Sequence, residues 1–235
     1  MFFMDPTFLL IIPPMLLALY ASNKVKRTFQ EYSQYRSERG MTGRQVARAM
    51  LDHEGLRDVE IERVQGRLSD HYDARDKTLR LSEGVYGSPS LAALGVAAHE
   101  AGHAVQDARG YTPLKLRQYV APAAAFGSNL GPIIAIVGII LTFFTQWAGA
   151  VMIAKIGIGV FAVATVFTVI TLPVELNASK RALAALTEGG YVNTQERKHA
   201  KAVLDAAALT YMAAAFMAIM MLLRFVLLLA MAQRD

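Results

Sequence analysis

Four long apolar stretches, separated by polar segments, dominate the hydrophobic pattern of the chain. They cover residues 6–22, about 127–147, 150–174 and about 206–232. A membrane-spanning helix needs roughly 20 apolar residues with few charges. The only charged residues within the last three stretches are Lys155 and Arg224, and Arg224 is close enough to the end of its stretch to reach the membrane interface. The pattern therefore predicts about four transmembrane helices.

The first apolar stretch is short and contains Pro13 and Pro14, which predicts a kink or a break. A cleaved signal peptide would carry positive residues ahead of its apolar part. Residues 1–5 contain no Lys or Arg, whereas Lys24, Lys26 and Arg27 follow the stretch. These positions favour an uncleaved membrane anchor.

The long polar segment 23–120 has mixed helix and strand patterning. Thr42 and Gln45 have the spacing of a capping box, and a helical period of apolar residues follows until Gly55. Val59 and Ile61 alternate with acidic residues, and Thr78–Leu81 alternates again after a turn-rich centre. We therefore expect a mainly α fold: a multi-pass membrane protein with a small α+β module that contains a sheet or hairpin.

Composition supports a membrane protein and excludes several other classes. Of the 235 residues, 54% are hydrophobic and 18% are charged, and there is no cysteine. Disordered, collagen-like, disulfide-stapled and cysteine-ligated zinc proteins are excluded. The formal charge of +5 is too modest to predict nucleic-acid binding.

The distribution of Lys and Arg predicts the orientation. Sixteen lie in 23–120 and five in 175–205, whereas 1–5 and 146–149 have none. Cytoplasmic loops are enriched in these residues, so both richer segments are expected in the cytoplasm and both termini outside. The predicted organisation is an anchor (1–22), a cytoplasmic module (23–120), a transmembrane hairpin (121–174), a cytoplasmic helix (175–205) and a final transmembrane helix (206–235).

The segment after residue 88 carries the most specific chemical signal. Ser88 and Pro89 predict a helix start, and Gly110 predicts its end. Between them lies the sequence His99-Glu-Ala-Gly-His103. Histidines at positions i and i+4 project from one helix face and can share a metal ion, while Glu100 can reach a water that the metal activates. Zinc and hydrolysis, with Glu100 as general base, follow from this spacing.

The alternative interpretation is a pair of exposed helix histidines beside a surface glutamate. The helix is rich in small and apolar residues, which predicts burial, and burying two histidines and a carboxylate without partners is costly. We therefore favour a metal site.

A hydrolytic zinc site needs a third protein ligand. The metzincin pattern would require glycine at 106 and histidine at 109, but Gln106 and Arg109 stand there, so that class is excluded. Glu175 follows the third apolar stretch and is expected on the same side of the membrane as the two histidines, which makes it the favoured ligand. The alternatives are His71, His199, Asp107 and Glu188.

Three segments carry a family resemblance. His99–Ala104, Asp70–Asp73 and Glu175–Ser179 resemble the YugP-like family of membrane-bound neutral zinc metallopeptidases, and the resemblance covers nearly the whole chain. It implies a zincin-like cytoplasmic module, one zinc ion, endopeptidase chemistry, a multi-pass location in the cytoplasmic membrane and a role in membrane-protein turnover. More distantly, the chain is similar to HtpX-type and CAAX-processing gluzincins. In those, an aspartate that orients a ligand histidine stands where this chain has Ser179.

Further site residues are predicted less specifically. Gluzincins pair an extended substrate with a strand edge, and the strand Thr78, Leu79, Arg80 and Leu81 is a candidate for that edge. An oxyanion stabiliser is expected near the zinc, and the candidates by residue type are Tyr191, His199 and Tyr211.

Two functions from different classes remain. The first is an active zinc endopeptidase of the membrane, with a protein or peptide substrate that is itself membrane-associated. The second is a catalytically silent adaptor that binds a partner through the same fold. The presence of Glu100 favours the first, because an inactive relative would readily lose its base. The sequence identifies no regulating membrane partner.

Overall fold

The computed structural model describes residues 6–66, 68–145 and 147–233. Within these ranges the chain is mainly helical, with one small sheet, as the sequence predicts. The helices are α1 (Ile12–Tyr32), α2 (Gly43–His53), α3 (Glu83–Tyr86), α4 (Leu91–Ala108), α5 (Thr112–Phe144), α6 (Ala148–Glu188) and α7 (Thr194–Ala232). The strands are β1 (Glu60–Val64), β2 (His71–Asp73) and β3 (Thr78–Ser82).

Four helical segments of the described chain are long and apolar enough to cross a membrane, which confirms that prediction. They are Pro6–Tyr32, Thr112–Phe144, Ala148–Glu188 and Thr194–Ala232. Pro6–Leu10 forms a 3-10 helix, and α1 begins at Ile12. Pro13 and Pro14 thus occupy the first turn of α1, where the missing N–H groups break no helical hydrogen bond. Residues 1–5 and Gln146, which belong to the segments without Lys or Arg that predict the orientation, lie outside the described residues.

The chain divides into two compact units. The first comprises Met1–Tyr20, Leu116–Leu172 and Tyr211–Asp235. Within it, glycines allow α5 and α6 to pack closely, because a Cβ at Gly138 would come within 2.2 Å of the Ala154 nitrogen and one at Gly157 within 2.1 Å of the Ala135 nitrogen. Small residues at helix interfaces are typical of membrane helix pairs.

The second unit comprises Ala21–Lys115 and Pro173–Thr210. Its core contains fully buried leucines from α2, β3, α4 and α6, among them Leu51, Leu79, Leu94 and Leu186. The predicted capping box of α2 is confirmed: Thr42 accepts a hydrogen bond from the Gln45 backbone, and the Gln45 side chain accepts one from the Thr42 backbone.

The sheet corrects the prediction of a substrate-binding edge at Thr78–Leu81. The strand order is β1-β3-β2, so β3 is the central strand. It pairs with β1 in parallel and with β2 antiparallel. Residues Thr78, Leu79, Arg80 and Leu81 are thus in the middle of the sheet, and β1 and β2 form its two edges. Alternation identified the strand, but it carries no information about which neighbours the strand pairs with.

Helix α4 begins two residues later than the sequence suggested. Its N-cap is Ser90, whose hydroxyl accepts a hydrogen bond from the Ala93 backbone (3.2 Å). Ser88 donates to the Ser90 hydroxyl instead of capping the helix itself (3.0 Å). The predicted end is confirmed, since α4 ends at Ala108 and Gly110 follows with a positive φ of 63°.

Candidate metal centre

Helix α4 supplies two histidines to one site. His99 and His103 are one turn apart, and their ring centroids are 4.8 Å apart. Most of the helix around them is buried, and His103 itself is only 8% exposed. Buried imidazoles need polar partners, so the surroundings of these rings define what the site can bind.

Helix α6 brings Glu175 against both rings. Its Oε2 atom is 3.1 Å from His99 Nε2 and 3.5 Å from His103 Nε2. The carboxylate is buried, with 2% of its surface exposed. Among the described residues, His99, His103 and Glu175 form the one group of His, Cys, Asp or Glu ligand atoms that lie within 4.8 Å of one another.

A glycine permits this close approach of the two helices. A Cβ at Gly102 would lie 2.8 Å from the Ala178 carbonyl oxygen of α6, which is closer than a real Cβ approaches an oxygen. Gly102 is the residue before His103, and Ala178 is three residues after Glu175. The glycine of the motif therefore sets the distance between the histidines and the carboxylate.

The donor set fits a zinc ion. Two imidazole nitrogens and one carboxylate oxygen are ligands that zinc uses, with bonds of about 2.0–2.2 Å. Tetrahedral geometry with such bonds places two ligand atoms about 3.4 Å apart. The separations of Glu175 Oε2 from the two Nε2 atoms, 3.1 and 3.5 Å, bracket that value.

The second nitrogen of each ring has a polar partner of its own. Ser179 Oγ lies 3.1 Å from His99 Nδ1, and Gln106 Oε1 lies 2.9 Å from His103 Nδ1. Such outer partners fix the orientation of a ligand ring and leave Nε2 for the metal. The resemblance to gluzincins pointed to position 179 for such a partner, whereas the role of Gln106 was missed. The sequence signal for Gln106 is a polar residue on an apolar helix, three positions after His103 and on the same face.

Carboxylates dominate the electrostatics around His103. Burial lowers the pKa of this imidazole, but its contact with Glu175 and the charges of Glu100 and Glu175 outweigh burial, so the net shift of the pKa is upward. The surrounding charge therefore favours a cation at this position, in agreement with the donor set.

Glu100 extends from α4 towards the sheet edge. Its Oε2 accepts a hydrogen bond from the Tyr72 backbone N–H in β2 (3.1 Å). The Tyr72 hydroxyl donates to Asp107 Oδ2, about two turns further along α4 (3.1 Å). Burial and the charge of Asp107 raise the pKa of Tyr72, so its hydroxyl stays protonated and remains a donor. Strand β2 is thus fixed to α4 at two points, one of which is the carboxylate of the motif.

The alternative third ligands have other partners or other positions. His71 is exposed on β2, with Nδ1 2.8 Å from the Ser69 carbonyl oxygen. Asp107 accepts from Tyr72, and Glu188 is exposed at the end of α6. None of these joins the described group of ligand atoms around His99.

Two of the oxyanion candidates, His199 and Tyr191, have described contacts with residues other than the three ligand candidates. The His199 ring stacks on Tyr32, with centroids 4.9 Å apart, and also contacts Tyr35. Tyr191 packs against the core of the second unit. Tyr211 is in α7, and its role stays a prediction.

Comparison with known proteins agrees with the chemistry of the site. The sequence model of a family described as "Putative neutral zinc metallopeptidase" matches residues 7–230. A Bacillus subtilis (strain 168) protein named "Putative membrane protease YugP" is 42% identical over 212 residues, which cover 90% of this chain and 91% of that protein. No solved structure matches the chain.

Proposed function

The chain belongs to this family of neutral zinc metallopeptidases, and from that membership we propose that it is a membrane-integrated zinc endopeptidase of the gluzincin type. The observation that carries the proposal is the convergence of His99 Nε2, His103 Nε2 and the Glu175 carboxylate, with Glu100 on the same helix as the two histidines. Two histidines and a glutamate are the ligand set of hydrolytic zinc sites that keep a fourth position open.

The proposed reaction assigns one task to each side chain. His99, His103 and Glu175 would hold one zinc ion. When bound, that ion would supply Lewis acidity, which lowers the pKa of a water molecule and polarises a carbonyl group. Glu100 takes the proton of the attacking water and delivers it to the leaving amine. The hydrogen bond from the Tyr72 N–H orients the Glu100 carboxylate for this transfer.

The position of β2 at an edge of the sheet favours a peptide as the substrate. Glu100 meets the backbone of this strand at Tyr72. Extended peptides add to such edges through main-chain hydrogen bonds, which give affinity that does not depend on the side chains of the peptide. A peptide along β2 would have its backbone beside Glu100, as hydrolysis requires.

The membrane location agrees with the four apolar helices and with the membrane protease relative. In our proposal the module 23–120 and the segment 175–205 face the cytoplasm and share the zinc site. That segment is not the single helix that the sequence suggested, because it contains the end of α6 and the start of α7. The anchor 1–22, the hairpin 121–174 and the last segment 206–235 cross the membrane, with the termini outside. The substrate is then a membrane-associated protein or peptide, and protein turnover at the membrane is the proposed role.

Measurements of zinc content and substrate cleavage distinguish an active peptidase from a silent adaptor. The purified protein in detergent is assayed for bound zinc and for cleavage of casein and of a membrane protein, with and without a chelator. We expect one zinc per chain in the wild type. Glu100→Gln should keep that zinc, because residue 100 is not a ligand, and should lose at least about 100-fold in cleavage rate, because the general base is missing. Glu188→Gln, at an exposed position of α6, is the matched control.

Two outcomes would contradict the proposal. A wild-type protein that holds zinc but cleaves none of these substrates would support the adaptor. A Glu100→Gln variant that cleaves at the wild-type rate would exclude Glu100 as the base.

A further inference from the structure

Gln106 is the most deeply buried polar side chain beside the zinc ligands. It is 0% exposed and lies on α4, three residues after His103. A buried amide is stable only when its hydrogen-bonding groups are used. Here its oxygen contacts His103 Nδ1 (2.9 Å), and its nitrogen contacts the Val174 carbonyl oxygen (2.8 Å) and Asn177 Oδ1 (3.0 Å).

The orientation of this amide follows from groups that have a single hydrogen-bonding role. The Arg181 guanidinium can only donate, and its Nε lies 2.8 Å from Asn177 Oδ1, so Asn177 presents its oxygen. The backbone carbonyl of Val174 can only accept. Gln106 therefore directs its NH2 group at both oxygens of α6, and its own oxygen at His103. The reverse orientation would place three oxygens together.

The fixed amide determines the protonation of His103. An amide oxygen accepts, so His103 Nδ1 must carry the proton and donate to it. The other ring nitrogen, Nε2, is then the one with the free lone pair, and it is the one that lies 3.5 Å from the Glu175 carboxylate. A chain of hydrogen bonds thus runs from Arg181 through Asn177 and Gln106 to a zinc ligand.

We propose that Gln106 is a positioning residue that holds His103 in the Nδ1–H tautomer, with Nε2 directed at the zinc, and that α6 fixes Gln106 through Val174 and Asn177. This inference rests on the zinc site of the proposed function. Helix α6 then determines the positions of two ligands, because it carries Glu175 and also orients His103 through Gln106. The geometry of the ligands is therefore established before the metal binds.

Zinc affinity of the full-length protein in detergent, titrated against a competing chelator, tests the positioning role. Gln106→Met keeps the size of the side chain but removes the acceptor, and we expect it to weaken zinc binding about 10- to 100-fold, as the loss of an outer partner does. Gln106→Glu keeps an oxygen for His103 but turns a second oxygen towards the Val174 and Asn177 oxygens, so it should not restore the wild-type affinity. Wild-type affinity in Gln106→Glu would show that α6 does not fix this side chain. Val105→Ala, a buried change on the same helix, should lower the melting temperature and leave the affinity unchanged.

A spectroscopic measurement on the wild-type protein decides the tautomer without any core variant. In zinc-loaded protein with ¹⁵N-labelled histidine, the His103 ring should show a proton on Nδ1 and metal coordination through Nε2. Coordination through Nδ1 would overturn the inference, as would a Gln106→Met variant with wild-type affinity. A wild-type protein that binds no zinc would instead refute the proposed function, so the two failures can be told apart.

Discussion

The close contact between α4 and α6 at Gly102 gives a sharp test of how the site is assembled. Replacing Gly102 by Ala places a Cβ 2.8 Å from the Ala178 carbonyl oxygen. A carbon normally stays about 3.3 Å or more from a carbonyl oxygen, so the two helices must separate by roughly 0.5 Å. Both contact atoms belong to well-packed helices, and neither is the flexible end of a long side chain.

A separation of this size exceeds what the ligands tolerate. Metal–ligand distances are held to about 0.2 Å, and Glu175 Oε2 is already 3.1 and 3.5 Å from the two ring nitrogens. Overpacking of a buried contact costs about 1–3 kcal/mol. If the protein relieves that cost by moving α6 away, zinc affinity should fall about 5- to 150-fold.

The chain offers a matched control on the same helix. Gly95 is two turns before Gly102 and faces α7, where a Cβ would lie 3.6 Å from the Ala200 carbonyl oxygen, an ordinary contact. Gly95→Ala should therefore bind zinc like the wild type and gain up to about 1 kcal/mol of helix stability. Chelator competition measures the affinity, and thermal unfolding in detergent measures the stability.

Equal zinc affinity in Gly102→Ala and in the wild type would refute the argument that this contact sets the ligand distances. Equal losses in both alanine variants would refute it as well, because the effect would then belong to any glycine of α4.

Two further predictions address the third ligand and the orientation. Glu175→Ala should abolish stoichiometric zinc binding, because two histidines are too few ligands, and a variant that keeps stoichiometric zinc would contradict the assignment. Ser179→Ala should lose only about tenfold in zinc affinity, because it removes only the partner of a ligand. Because the chain lacks cysteine, single cysteines at the exposed positions Ser33, Thr145 and Gln195 report the orientation. In intact cells a membrane-impermeant thiol reagent should label only position 145, and opposite results at 33 and 195 would place the two halves of the zinc site on different sides.

Local sequence patterns were sufficient for the features that depend on local geometry. Histidines four residues apart must share a helix face, so the placement of His99 and His103 follows from the helical period alone. The capping box at Thr42 and the end of α4 before Gly110 are equally local. The start of α4 was predicted two residues too early, because Ser88 is as good an N-cap by residue type as Ser90 and only the contact with the Ala93 backbone distinguishes them.

Features that depend on distant partners could not be obtained in this way. The alternation at Thr78–Leu81 fits a central strand and an edge strand equally, and the order of the sheet depends on long-range pairing. The spacing of three residues places Gln106 beside His103, but the direction of its amide depends on Val174 and Asn177 of α6, some 70 residues away in the sequence. Glu175 was an intermediate case, since the expected membrane topology narrowed the choice of acidic residues.

The outer partners of the two histidines have a chemical consequence that their positions alone do not show. Ser179 and Gln106 are both uncharged, and the only charge that the hydrogen-bond chain behind Gln106 brings in is the positive charge of Arg181. The resemblance to gluzincins implies an aspartate at the position where this chain has Ser179. A carboxylate that accepts a hydrogen bond from an imidazole makes the ring donate more electron density to the metal and partly neutralises the metal.

With neutral partners, His99 and His103 would donate less electron density, and Glu175 would be the single anionic ligand. The site should therefore bind zinc less tightly than one with an aspartate at 179, while the bound zinc keeps more of its charge to lower the pKa of a water molecule. Tighter zinc binding in Ser179→Asp than in the wild type, measured by chelator competition, is the result that this reasoning requires.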